Sequence, residues 1–507
     1  MKAQRLIPKE ARDRIAQRVD TDPHAPRYHF IAPEGNAVPF DPNGALFWRG
    51  SYHLFYIFQN RELPRGGHCW GHASSADLLH WEFHPTALAP SPGDPERGIF
   101  SGNAFISKEG IPTLAYYGID AGICLAQSSE DDLSVWTKLS ENPVIPRPTE
   151  GQPGWDVYNV FDPHVWIEDD AYYAILGGQV KPHDIRDTAY LFRSDDLVHW
   201  EYLRPFYSPH PDWTEPIEDC ACPDFFKLGN RHVLCCISHS HGTRCYLGQY
   251  RDAVFVPEEH HRMNWPGGSC FASESLLDGR QRRVFWAWVV DQRKGEGTVN
   301  RELGVMTMPR VLSLDAGGQL RIEPAQEIES LRRNRRHSGC LEVEPDSDLR
   351  FPDIEGDCME IALEAVVPEA GTFGIKVRMT PDGEEQTSIV VDTAAHTISV
   401  DTTRSSLSPD ICQAFPIARG DSRRDVRVQT APFAPDPGEP LRLRVFLDRS
   451  ILEVFANERQ CVTQRIYPTR PDSLGVALFN RAGTTTVDRI DAWDIVPTNT
   501  GPLPADG

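Results

Sequence analysis

Between residues 75 and 201 the chain writes one phrase three times: Ser75-Ala76-Asp77-Leu78-Leu79-His80-Trp81-Glu82, Ser129-Glu130-Asp131-Asp132-Leu133-Ser134-Val135-Trp136 and Ser194-Asp195-Asp196-Leu197-Val198-His199-Trp200-Glu201. A polar turn closing on Trp, repeated every 55 to 64 residues among runs of strand-forming residues, points to propeller blades, each a four-stranded antiparallel sheet. Phased on these anchors, the first hairpins of successive blades read Ala45–Trp48 with Tyr52–Phe58, Ala104–Ser107 with Thr113–Gly118, His164–Ile167 with Tyr172–Leu176, Phe225–Leu228 with His232–Ile237, and Ser269–Leu276 with Arg283–Val289. That makes five blades ending near Ile322, and 38 Gly and 42 Pro supply the turns that so many short strands require.

At 507 residues the chain exceeds one ordinary core. Residues 1–27 read as a helical lead, with one helix from Pro8 to Val19, and 28–324 as the propeller. The charged stretch 325–337 reads as a linker helix with Ile328 and Leu331 as its apolar contacts. Alternating strands return over 338–497, such as Met359–Val366, Leu441–Leu447 and Leu474–Phe479, at the spacing of a two-sheet β-sandwich, before a Pro-rich tail at 498–507. The fold class is therefore all-β, a five-bladed propeller followed by a sandwich.

A net charge of −22 argues against a nucleic acid or an anionic membrane surface as partner, and leaves a neutral small molecule open. The amphipathic N-terminus has no apolar h-region and no run approaches a membrane span, so a cytoplasmic location is the expectation. The 12 cysteines show no framework spacing. Cys220, Cys222, Cys235 and Cys236 cluster near His232, His239 and His241, but not at zinc-site spacing, and read as buried free thiols in strands.

In a propeller the innermost strand of every blade lines the central channel, so the starts of those strands converge on one funnel. At blade one the start is Asp41-Pro42, within Asp41-Pro42-Asn43-Gly44; at blade three it is Asp162-Pro163; at blade four the phrase is Glu218-Asp219-Cys220-Ala221-Cys222-Pro223-Asp224. Like charges at close range raise each other's pKa and disfavour the fold, so acidic strand starts in one funnel favour a functional reading over turn capping. Paired carboxyl groups of this kind suit glycoside hydrolysis, where one attacks the anomeric carbon or activates water and another protonates the departing oxygen. Asn43, Gln59, Trp70, Ser101 and Asn103 are candidate sugar-binding groups, with Trp70 as the candidate stacking wall. No cofactor is needed for this chemistry, and nothing demands a metal.

The chain resembles glycoside hydrolase family 32, the invertase, levanase and inulinase family. The matching phrases are Asp41-Pro42-Asn43-Gly44, His53-Leu54-Phe55-Tyr56 to Gln59, Trp70-Gly71-His72-Ala73, Phe100-Ser101-Gly102, Asp162-Pro163, Cys222-Pro223-Asp224-Phe225-Phe226, Gly304–Arg310 and Asp448-Arg449-Ser450-Ile451-Leu452-Glu453-Val454-Phe455. The resemblance extends from Tyr28 to Phe479. The resemblance implies a retaining β-fructofuranosidase acting on a small fructoside or fructan, with Asp41 as nucleophile and Asp162 as transition-state stabiliser.

Three positions depart from the family pattern. The family's acid/base is a Glu immediately before Cys-Pro-Asp, where this chain has Ala221; Glu218 and, next, Asp219 are the nearest substitutes. The family's Asn before the nucleophile and Arg before the stabiliser are here Phe40 and Phe161. Each lost hydrogen bond to a sugar costs roughly 0.5–1.5 kcal/mol. These departures keep two alternatives open: action on another furanoside or transfer to a sugar acceptor, and a catalytically impaired carbohydrate-binding relative.

Overall fold

The computed structural model describes residues 8–35, 38–60, 62–63, 67–208, 210–291, 293, 304–409, 426–481 and 483–499. The repeated phrase proves to be one turn, the link between the third and fourth strands of a blade. In blade one it joins His68–Ser75 to Glu82–Leu88, and in blade three Asp187–Ser194 to Trp200–Pro205. Its acidic residue closes the turn: Asp77 Oδ1 accepts the backbone N–H groups of Leu79 and His80 at 2.9 and 2.8 Å, and Asp196 Oδ1 those of Val198 and His199 at 3.0 and 2.8 Å. The following Leu takes a positive φ, 70° at Leu78, 54° at Leu133 and 68° at Leu197, which turns its side chain inward, where all three are buried. Burial outweighs the steric cost of the left-handed backbone, about 1–2 kcal/mol.

Blade one comprises Pro42–Trp48, Ser51–Gln59, His68–Ser75 and Glu82–Leu88; blade two Ile99–Ile106, Pro112–Gly118 and Gly122–Gln127, with a broken outer edge of Thr137–Lys138 and Ile145–Pro146. Blade three runs from Pro163–Glu168 to Trp200–Pro205, blade four from Ala221–Leu228 to Val254–Arg262, and blade five from Cys270–Leu277 to Leu320–Pro324. Every blade is an antiparallel meander. The ring is closed by the segment ahead of blade one, where Ile31 bridges Val305 and the Met306 N–H donates to the Phe30 carbonyl. The helix Pro8–Thr21 buries Ala11, Ile15 and Val19, one per turn, and packs on the outer strand of blade one.

In blade four Cys235 and Cys245 stand directly opposite each other on paired strands and are joined as a disulfide, correcting the expectation of free thiols there. Cys220, Cys222 and Cys236 are free and buried.

The charged linker is also corrected. Only Gln326–Leu331 is helical, a 3₁₀ turn with Ile328 and Leu331 buried; Arg332–Ser338 is a strand at the edge of the sandwich, paired with Thr485–Ile495. Carboxylates of neighbouring strands neutralise its cations, with Arg332 on Glu360 at 2.7 Å and Arg335 on Asp491 at 2.8 Å. The sandwich stacks this sheet on one ordered 347–355, 475–480, 372–379, 387–392, 397–401 and 428–432. The proposed tail lies outside the described residues from 500 onward.

The two domains meet through the phrase Asp448–Glu453. Asp448 accepts three consecutive backbone N–H groups, those of Arg27, Tyr28 and His29, at 2.6, 2.8 and 2.9 Å, and bonds the His29 ring at 2.8 Å. Arg449 donates to the carbonyls of Val19, Asp22 and Ala25, and Ser450 to that of His24. Glu453 binds Arg310 at 3.0 Å, the Met308 N–H at 3.0 Å and the far side of His29 at 3.3 Å. The sandwich thus holds both the lead segment and blade five, the two pieces that meet where the ring closes.

Candidate active site

Asp41 stands one residue ahead of the innermost strand of blade one, and its backbone is fixed from two sides. The Ile57 N–H and the Asn43 side-chain amide donate to its carbonyl at 3.1 and 2.8 Å, while the Asn43 amide oxygen accepts the Gly102 N–H of blade two at 3.1 Å. The irregularity in this strand between Asn43 and Leu46 requires its glycine: Gly44 has φ +54°, and a Cβ there would meet the Phe55 ring at 2.9 Å and the Trp70 ring at 3.2 Å. The carboxylate is half-buried, and Ser101 Oγ donates to its Oδ2 at 2.6 Å.

Asp162 occupies the equivalent place in blade three and is almost wholly buried. Its carbonyl accepts the Gly177 N–H at 3.2 Å and its Oδ2 the Cys222 N–H at 3.0 Å, while its Oδ1 has no partner among the described residues. Blade four supplies the piece between the two acids. A bulge between Ala221 and Asp224 gives Cys222 a φ of 45° and sends its thiol within 3.6 Å of Asp41 Oδ2 and 3.6 Å of Asp162 Oδ2. Burial, and then the two neighbouring anions, push the thiol pKa far up, so it stays protonated and donates to whichever carboxylate carries charge.

Burial also raises both carboxyl groups. Asp162 rises to about 7, with the Asp41 charge adding to the rise and the Cys222 N–H opposing it; Asp41 is raised against the hydrogen bond from Ser101. The imidazole of His239 lowers both, and the two acids in turn help to raise it. His239 sits in the turn between the second and third strands of blade four, at the end where Ala221 begins the innermost strand, since Ala221 pairs with Ile237. Asp219 accepts both its N–H at 3.0 Å and its Nδ1–H at 2.5 Å.

The expected residues divide sharply. Asp41, Asp162 and Ser101 come together. Asn43 braces the Asp41 backbone with both ends of its amide, and Asn103 does the same for Val165, giving and taking a hydrogen bond at 2.9 Å. Trp70, the candidate stacking wall, is fully buried and donates its Nε1–H to the Phe100 carbonyl, so it offers no face to a sugar. Phe40 is equally buried, packed on Phe30 and Tyr56. Gln59 ends its strand opposite His68, half-buried. Phe161 is half-buried, its ring 5.1 Å from Tyr117 and 6.3 Å from His239.

Glu218 is consumed elsewhere. It is fully buried, bonded by Arg244, by Arg262 at 2.8 Å and by the Glu215 N–H at 2.7 Å, and its hydrogen bonds do not reach Asp41 or Asp162. Burial alone would raise its pKa, but the two arginines bring it down to about 2, so it holds no proton to give. Asp219 is lowered too, against burial, by its bonds to His239. Among the described residues no group of three or more His, Cys, Asp or Glu is placed to hold a metal ion. Two site residues went unassigned in the sequence: Cys222, whose motif is visible but whose thiol direction depends on the bulge, and His239, whose only signal was its nearness to the cysteine cluster.

A cavity of 470 Å³ lies away from these acids, against the later halves of the innermost strands, and is lined by residues such as Phe47, Trp166, Glu168, Lys227, Glu274 and Arg283. Asp41 and Asp162 stand at the opposite ends of those strands.

Residues 29–324 match the N-terminal domain, and 327–494 the C-terminal domain, of glycosyl hydrolases family 32. Sucrose-6-phosphate hydrolase of Bacillus subtilis is 30% identical, over 71% of this chain and 77% of that protein; fructan 6-exohydrolase of Triticum aestivum is 29% identical, over 92% and 89%. Among solved structures, fructan 1-exohydrolase IIa of Cichorium intybus superposes with a TM-score of 0.79 at 25% identity, covering 94% of this chain and 98% of that one.

Proposed function

Because this chain belongs to glycoside hydrolase family 32, we propose that it removes a terminal fructofuranosyl unit from a small fructoside or fructan by double displacement. The observation that carries the reading is the pair Asp41 and Asp162, set on the innermost strands of two blades and reached by one thiol. Asp41, positioned by Ser101, attacks the anomeric carbon and forms a glycosyl ester; water then releases the sugar with net retention. Asp162, with its free Oδ1 acceptor, takes hydrogen bonds from ring hydroxyls and gains strength as positive charge develops on the ring.

Sucrose, sucrose 6-phosphate, levan and inulin all carry a fructofuranosyl unit and form the natural panel. Fructose release from at least one of them, with a β-configured methyl fructoside formed in added methanol, is the expected result. Asp41→Ala is expected to abolish release with the thermal midpoint kept. Release undiminished in Asp41→Ala, or saturable sugar binding without product in the native protein, overturns the reading.

A further inference from the structure

A retaining glycosidase needs a group that gives a proton to the leaving oxygen and later takes one from water. The strand start in blade four holds Ala221 where such an acid would stand, Glu218 is locked between Arg244 and Arg262, and Asp219 is ionised. Among the described residues, His239 is the titratable side chain beside the two acids that is left unspent. The His239 imidazole is half exposed, 46% of its side-chain surface, and its ring lies 6.3 Å from that of Phe161, the neighbour of Asp162, at a tilt of 46°. Its Nδ1 is held by Asp219, and Nε2 has no partner among the described residues. The loop that carries Asp219 is rigid: Arg244 donates to the Asp219 carbonyl at 2.6 Å and the Cys220 N–H to the Gly178 carbonyl at 3.0 Å.

We propose, on the fructosidase reading above, that His239 oriented by Asp219 is the acid/base of this enzyme. In the first step Asp41 Oδ forms a bond to the anomeric carbon while the bond from that carbon to the leaving oxygen breaks, and the Nε2 proton passes to that oxygen. The products are a neutral ester, a neutral imidazole and an alcohol. In the second, water adds its oxygen to the anomeric carbon and its proton to Nε2, and the Asp41 carboxylate departs.

The charges around His239 suit both halves. Asp219 faces it directly, Asp41 and Asp162 face it across the recess, and Arg244 lies behind Asp219. Burial opposes its charge, but the three anions prevail and raise its pKa to about 9, so it enters the first step protonated. Ester formation then removes the Asp41 charge, which lowers the affinity of His239 for its proton when it must act as a base. Asp219 is a positioning residue: it fixes the tautomer and aims Nε2.

The test compares a fructoside with a sugar leaving group and an aryl fructoside whose phenol departs unaided. His239→Gln is expected to lose 10²- to 10⁴-fold on the first, to lose less than about tenfold in ester formation on the second, and to lose the basic limb of its kcat/KM profile. Asp219→Asn is expected to move that limb down by about one unit or more. A native basic limb and native leaving-group dependence in His239→Gln overturn the proposal while leaving the fructosidase reading intact. If His239→Gln fails to fold, an unshifted limb in Asp219→Asn overturns it. Native protein inert on both substrates overturns the fructosidase reading and this assignment together.

Discussion

Cys222 binds Asp162 Oδ2 twice, through its backbone N–H at 3.0 Å and its thiol at 3.6 Å, and the same thiol reaches Asp41 Oδ2. Two acids that repel each other are therefore held by a neutral donor from a third blade. The strained φ of 45° at Cys222 is the local cost of that arrangement, and strain at a site of this kind persists because the surrounding bulge over-determines it.

Asp162→Asn is expected to stabilise the protein at neutral pH while removing activity. The folded carboxyl keeps its proton up to about 7, whereas the unfolded one ionises near 3.8. Between those values the folded state binds more protons, so native stability falls as pH rises, and above about 7 the whole penalty is present. The amide escapes it. Thermal midpoints should differ most at pH 8, by an amount equivalent to about 1–4 kcal/mol, and converge near pH 4.

Glu218→Gln is expected to cost about 1–3 kcal/mol of stability, because Arg244 loses one of its two buried carboxylate partners and keeps only Asp187, at 3.3 Å. With its folded pKa at about 2 against 4.5 unfolded, Glu218 contributes fully above pH 4.5 and progressively less as pH falls toward 2. The midpoint difference between variant and native protein should shrink over that interval. Folded variant below its midpoint should keep the native basic limb; loss of that limb at an unchanged midpoint would make Glu218 the acid after all.

Asp448→Ala is expected to destabilise by about 3–5 kcal/mol, since it strips a fully buried carboxylate from three backbone N–H groups and from His29. Denaturant unfolding checks the loss. His29 itself is raised, its bonds to Asp448 and Glu453 overcoming burial, so its contribution is complete below pH 6.5 and declines as pH climbs through its folded value.

The repeated turn phrase was enough to phase the blades, because each copy encodes one geometry, an acidic cap followed by an inward Leu. The acidic strand starts were legible for the same reason: propeller topology alone brings Asp41 and Asp162 to one end. What stayed hidden depended on neighbours distant in sequence. Arg332–Ser338 carries the charge of a solvated helix and becomes a strand because Glu360, Asp491 and Asp494 wait beside it. Trp70 looks like a sugar platform by residue type, but its strand is sheathed on both faces. His239 could not be placed until the hairpin Arg231–Ser238 with Gly242–Arg251 set its turn at the funnel.

The Asp448 clasp also orders events in time. The segment it grips, residues 27–29, is synthesised ahead of every blade, yet its carboxylate partner is made some four hundred residues later. The first blades can pair as they emerge, since their hairpins are local, but residues 27–29 gain their carboxylate only once the second domain has been synthesised. Closing so long a loop is slow, and meanwhile the edges of the unclosed ring are exposed to other chains. The sandwich thus serves this enzyme as a late-arriving lock on a ring whose own closure rests on the contacts of Phe30 and Ile31 with blade five.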